Sequence, residues 1–166
     1  MDERHAVLEA HWAATLPRMG WQVWVEHSFS HFGERGRVDL LAWHPPTRTL
    51  AVIEIKTELA DSQALLGTLD AKVRLGPVLA RQLNLPAPAN VVPVLIFAES
   101  MTNRRRVARI GPLLERFDLR GPAARAWLRW PKGGSGVMFF SGANANRRRE
   151  RTTRRVRLPS ARGSVE

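Results

Sequence analysis

Cysteine is absent from the 166 residues, which excludes disulfides, thiolate zinc sites and cysteine nucleophiles; any metal must be held by oxygen or imidazole. Long apolar runs are missing too. No uninterrupted stretch approaches the roughly 20 residues of a membrane span, and Met1-Asp-Glu-Arg-His lacks the basic and apolar regions of a secretion signal. The expectation is therefore no membrane partner and a cytoplasmic location. Lysine is scarce: Lys56, Lys72 and Lys132 are the three among 26 basic residues, so arginine carries the charge. That charge is formally +11, and arginine's bidentate fit to phosphate suits a polyanionic partner, although arginine and alanine also accumulate in GC-rich genomes. With 44% hydrophobic and 25% charged residues the chain is too apolar for wholesale disorder, and its length suits one domain with one site.

Between about Asp2 and Met19, Val7, Leu8, Trp12 and Leu16 recur at helical spacing, with Gly20 placed as a C-cap. Trp21 to Glu26 alternates with period two and predicts a strand, followed by a polar loop through Gly33 and Gly36. Arg37–Trp43 reads as a second strand, His44–Arg48 as its turn and Thr49–Lys56 as a third, mostly buried strand, so the three form an antiparallel meander. A second helix is predicted over Asp61–Leu75 with a further helical turn towards Leu83, then a buried strand over Val91–Phe97 and a third helix over Asn103–Phe117. Gly121-Pro122 can open a short helix to Trp130, and Val137–Phe140 reads as an edge strand. Residues 1–143 thus make one α/β domain. Residues 144–166 hold eight Arg and two Glu with almost no large apolar side chains, and are expected to be a disordered basic tail.

The third strand carries the chemistry. Val52, Glu54 and Lys56 share one of its faces, so two charges are aimed the same way from apolar surroundings, where unpaired charge is costly. Asp39 sits among Val38, Leu40 and Leu41 in the preceding strand, and normal hairpin pairing would let its carboxylate converge with that of Glu54. Two close carboxylates repel, and a hard divalent cation, Mg²⁺ or Mn²⁺, relieves that repulsion while offering positions to water and a phosphate oxygen. Lys56 would orient that water or stabilise the developing charge.

Gly36-Arg-Val-Asp39, fourteen further residues and Glu54-Ile-Lys56 resemble the PD-(D/E)XK, or restriction-endonuclease-like, nuclease superfamily, with Gly36-Arg-Val standing where the name-giving Pro would be. Glu9-Ala-His-Trp-Ala13-Ala-Thr-Leu16 before Gly20 is similar to the first helix of its small Holliday-junction-resolvase-like members. The resemblance implies an α-β-β-β-α-β core with a mixed sheet flanked by helices. It also implies metal ligation by Asp39, Glu54, the Ile55 carbonyl and an extra carboxylate from the first helix, Glu9, for which Glu26 and Glu34 compete. Gln63 would support the metal site from the second helix.

Two readings follow: a Mg²⁺-dependent endonuclease on DNA, or a catalytically silent module of the same fold that binds nucleic acid or acts in transcriptional regulation. A homodimer is compatible with either. Arg104, Arg105 and Arg106 open a predicted helix, where a bound phosphate would offset their opposition to the helix dipole; the alternative is a solvated surface. Arg147, Arg148 and Arg149 would add phosphate contacts from the tail. His27 and His31 read as solvated or substrate-side, and of the six Trp, Trp43 and Trp130 are the candidates for stacking on a base.

Overall fold

The structure, a computed structural model, describes residues 2–142; the expected tail, with Arg147, Arg148 and Arg149, lies outside them. Helix α1 (Glu3–Thr15) begins where the Asp2 side chain accepts the Arg4 N–H at 3.1 Å. A 3₁₀ turn, Leu16–Met19, continues it to Gly20, whose φ of +90° is the left-handed conformation that a helix stop without a Cβ adopts readily.

The predicted polar loop after the first strand is instead more strand. β1 (Gln22–His31) and β2 (Glu34–His44) form one long hairpin closed by Phe32 and Gly33, with φ values of +44° and +81°. A two-residue turn of left-handed residues matches the twist of paired strands, and this outweighs the polarity of the flanking His27-Ser-Phe-Ser-His31. β3 (Thr49–Lys56) completes the antiparallel meander. Helices α2 (Ser62–Arg74) and α3 (Gly76–Gln82) then carry the chain across the sheet, so that β4 (Asn90–Ala98) pairs parallel to β3.

After α4 (Met101–Arg109) and a 3₁₀ turn, Gly111–Leu114, the two-residue strand β5 (Leu119–Arg120), helix α5 (Gly121–Arg129) and β6 (Val137–Ser141) finish the described chain. The protein is α/β, with a six-stranded mixed sheet ordered β1-β2-β3-β4-β6-β5 and helices on both faces. The expected edge strand over Val137–Phe140 is interior, since β5 pairs outside it. No helix among the described residues is long and apolar enough to cross a membrane.

One face of the sheet packs Leu40, Ile53 and Ile55 against Leu8 and Trp12 of α1 and Trp127 of α5; the other packs Leu41, Val52 and Phe97 against Leu69 of α2 and Leu79 of α3. Each fully buried side chain of this size contributes roughly 1.5–3 kcal/mol over exposure. Trp43, considered above as a base-stacking side chain, is in this core at 2% exposure, whereas Trp130 is 58% exposed and packs edge-on against the buried His44. The carboxyl ends of the parallel strands β3, β4 and β6 lie along one edge of the sheet, and Asn103, itself buried, donates to Thr57 O after β3 and to Ala98 O at the end of β4.

Candidate metal centre where the second hairpin opens

The site is made by an irregularity that both hairpins share. Val38 and Leu41 are three apart in β2 yet pack on the same face of the sheet, which regular alternation forbids. On the neighbouring strand Glu26, opposite Asp39 in register, has a φ of +50°, and the pairing passes from Val25 with Leu40 to His27 with Val38 across it. The β2–β3 pairing ends at Leu40 with Ile53. Beyond that point the Ile55 N–H has lost its strand partner, and the Asp39 carboxylate accepts it at 2.8 Å. A buried amide is thereby satisfied and the Asp39 side chain is anchored.

So placed, Asp39 faces α1. His5 Nε2 lies 3.7 Å from Asp39 Oδ1 and 3.4 Å from Glu9 Oε2, one helical turn further on. Ligand atoms of His5, Glu9 and Asp39 all fall within 4.8 Å of one another. Glu9 is 7% exposed, and its Oε2 is buried with no hydrogen-bond partner. Burial, reinforced by the charges of Glu26 and Asp39, pushes the Glu9 carboxyl above the usual carboxylate range, against the pull of His5. An oxygen desolvated in this way and without a hydrogen bond, with an imidazole at 3.4 Å and a second carboxylate nearby, belongs to a donor set that fits a divalent cation.

Glu54 takes a different direction. It is 4% exposed, and its Oε1 accepts a hydrogen bond at 2.5 Å from Lys72 of α2, which is itself buried. Burial and then the charge of Asp39 raise its pKa, outweighing Lys72 and Lys56, so Asp39 and Glu54 feel each other across the opened hairpin. The expected single cluster of Asp39, Glu54 and Lys56 is thus two adjoining halves. A cavity of about 280 Å³ holds Glu54 and Lys72; one of about 320 Å³ holds His5, Glu26, Asp39 and Ile55; Lys56 and Glu58 border both.

Of the three carboxylates considered for the extra position, Glu9 joins Asp39. Glu34 instead pairs with Arg74 at 2.5 Å, and Glu26 lies in the Asp39 cavity, 3.5 Å from Arg37. Gln63 is exposed and borders neither cavity: the face of α2 that meets the site runs through Ala64, Thr68 and Lys72, and Gln63 is off that face. The triple-arginine helix start also reads differently. Arg104 grips Glu99 with two hydrogen bonds of 2.6 and 2.7 Å, Arg106 reaches Glu58 at 2.7 Å, and Arg105 is exposed. Two of the three cations are already matched by carboxylates within the chain, which relieves their conflict with the helix dipole without a phosphate.

Sequence reasoning missed His5 and Lys72. Both carried a signal: His5 stands four residues before Glu9 and so on the same helical face, and Lys72 interrupts the apolar face of α2 formed with Leu65 and Leu69. No family model matches the chain, and no curated protein matches it.

Proposed function

We propose that the protein is a metal-dependent nuclease that hydrolyses phosphodiester bonds in DNA, of the PD-(D/E)XK kind. The observation that carries this reading is the His5, Glu9 and Asp39 donor set, with its unpartnered buried oxygen, beside Lys56 at the carboxyl edge of a mixed sheet. The order of elements, α1-β1-β2-β3-α2-β4 with a short α3 before β4, supports it. A divalent ion such as Mg²⁺ or Mn²⁺ bound there supplies Lewis-acid polarisation of a phosphoryl oxygen and a more acidic water.

The chain's own residues do the rest. His5, Glu9 and Asp39 would hold the ion, and the Ile55 N–H fixes the orientation of the Asp39 carboxylate. Lys56, at the junction of the two cavities, presents a cation to the charge that develops on the phosphate. Lys72 holds Glu54 in place, keeping a second carboxylate within reach of the Asp39 field.

The test is cleavage of linear, single-stranded and branched DNA with Mg²⁺ or Mn²⁺, by the parent chain and by Asp39→Asn. The parent should cut at least one substrate and Asp39→Asn none. A parent that binds these substrates and cuts none of them would instead establish the catalytically silent nucleic-acid-binding module.

A further inference from the structure

We propose that the groove between α4 and α5, at the open end of β6, binds the phosphodiester backbone of nucleic acid as a second contact surface apart from the metal centre. The groove has a volume of about 770 Å³ and is lined by Arg104, Arg120, Arg125 and Arg129 over an apolar bed that includes Val107 and Phe139.

Its charge is unbalanced. Among the described residues the only carboxylate lining it is Glu99, and Arg104 takes both of its oxygens. Arg120 donates to the carbonyls of Leu114 and Phe117 at 2.7 and 2.9 Å, and Arg125 donates to the Phe140 carbonyl at 3.2 Å while lying 5.2 Å over the Phe139 ring. Neutral carbonyls and rings hold these two guanidinium groups in place without cancelling their charge, so two cations are fixed in position and, among the described residues, uncompensated. Arg129 makes no hydrogen bond or ion pair among the described residues. Pre-positioned arginines facing one groove lose less conformational freedom on meeting phosphates than free surface side chains would.

The groove lies beyond β4 from the metal centre in the strand order β1-β2-β3-β4-β6-β5. It runs along Met138–Phe140 of β6 and reaches Glu99 just after β4, and Asn103 ties the end of β4 to Thr57, just after Lys56 at the end of β3. An acidic peptide has the same sign of charge, but arginine's planar fork matches phosphate oxygens bidentately, which favours a phosphodiester backbone. The choice of nucleic acid rests on the nuclease reading; the presence of an anion-binding groove does not.

The experiment measures binding of fluorescein-labelled single-stranded and duplex DNA by anisotropy over a range of salt, in EDTA so that neither metal nor cleavage contributes. For duplex, each lost phosphate contact reduces the slope of log K against log salt by about 0.9. The triple variant Arg120→Gln, Arg125→Gln, Arg129→Gln should lose about two to three from that slope. Arg18→Gln, Arg35→Gln, Arg81→Gln, of equal charge but outside the groove, should keep the parental value. If the triple variant fails a thermal melt, Arg129→Gln alone should lose about one. A parental slope for the groove variants, a matching loss for the control triple, or loss of polyglutamate binding with DNA binding retained would each overturn the proposal. Cleavage with an inert groove would leave the nuclease reading standing, and a DNA-binding groove without cleavage would leave the groove standing.

Discussion

Lys56 can be separated from the candidate metal ligands by experiment, because it borders the donor set without belonging to it. Lys56→Ala should bind Mn²⁺ as the parent does and cut more slowly by on the order of 100-fold or more, the usual effect of removing one placed electrostatic group. Equal cutting rates would remove Lys56 from the mechanism. His5 should behave in the opposite way. Imidazole suits Ni²⁺ or Zn²⁺ better than Mg²⁺, so His5→Ala should weaken Ni²⁺ binding by on the order of 10-fold or more while changing Mg²⁺ binding less, as read by calorimetric titration. Glu9 sets a pH dependence whose sign follows from burial. Its carboxyl titrates above the ordinary value, so its contribution to the stability of the metal-free fold is fully present below that value and lost as pH rises through the raised one. Glu9→Gln should therefore melt like the parent in acid and increasingly above it as pH rises in EDTA. A constant difference across the range would assign the effect to packing. Asp39, Glu54 and Lys56 were visible in the sequence because charge inside an apolar strand is conspicuous. His5 is not conspicuous in this way, because its significance depends on Asp39 turning towards α1.

At the level of elements, that turn is what alternation could not foresee. The periodic pattern placed Asp39 with Glu54, and would have been right had β2 stayed regular; the coordinated irregularity at Glu26 and Asp39 sends one carboxylate to α1 and leaves the other with α2. Helix α1, the meander and the buried strand β4 were legible from spacing and apolar runs, whereas the parallel pairing of β4 with β3 was not. The interior position of β6 was not, since its outer partner β5 is two residues long and too short to leave a periodic signal. The bond between α2 and β3 now has a measurable consequence. Lys72 and Glu54 are both buried, so Lys72→Met strands a carboxylate without its partner and should cost about 3–5 kcal/mol in denaturant unfolding at neutral pH without metal. The double change Lys72→Met, Glu54→Leu should recover most of that loss. A single variant as stable as the parent would mean that Lys72 contributes little to holding Glu54.

For the molecule as a whole the decisive property is where its charge sits. Of the formal +11, residues 144–166 supply +6 from eight Arg and two Glu, leaving +5 on the rest of the chain. The two portions should act on nucleic acid differently. In the groove, guanidinium groups held by carbonyls set where a backbone can lie, whereas a segment whose composition offers almost nothing apolar to bury can contribute mainly by neutralising phosphates and releasing counterions, without regard to sequence. Ending the chain after residue 143 should therefore lower affinity for every DNA tested by a similar factor and flatten the salt dependence, by up to about 7 in slope if all eight Arg meet duplex phosphates. The melting temperature should stay near that of the full chain, since both faces of the sheet are covered by helices within the described residues. If the two sets of arginines meet different phosphates, combining the truncation with the groove substitutions should add their slope changes. A truncated chain with the full salt slope would show that these arginines meet something other than phosphate, and a sub-additive combination would show that both reach the same stretch of backbone.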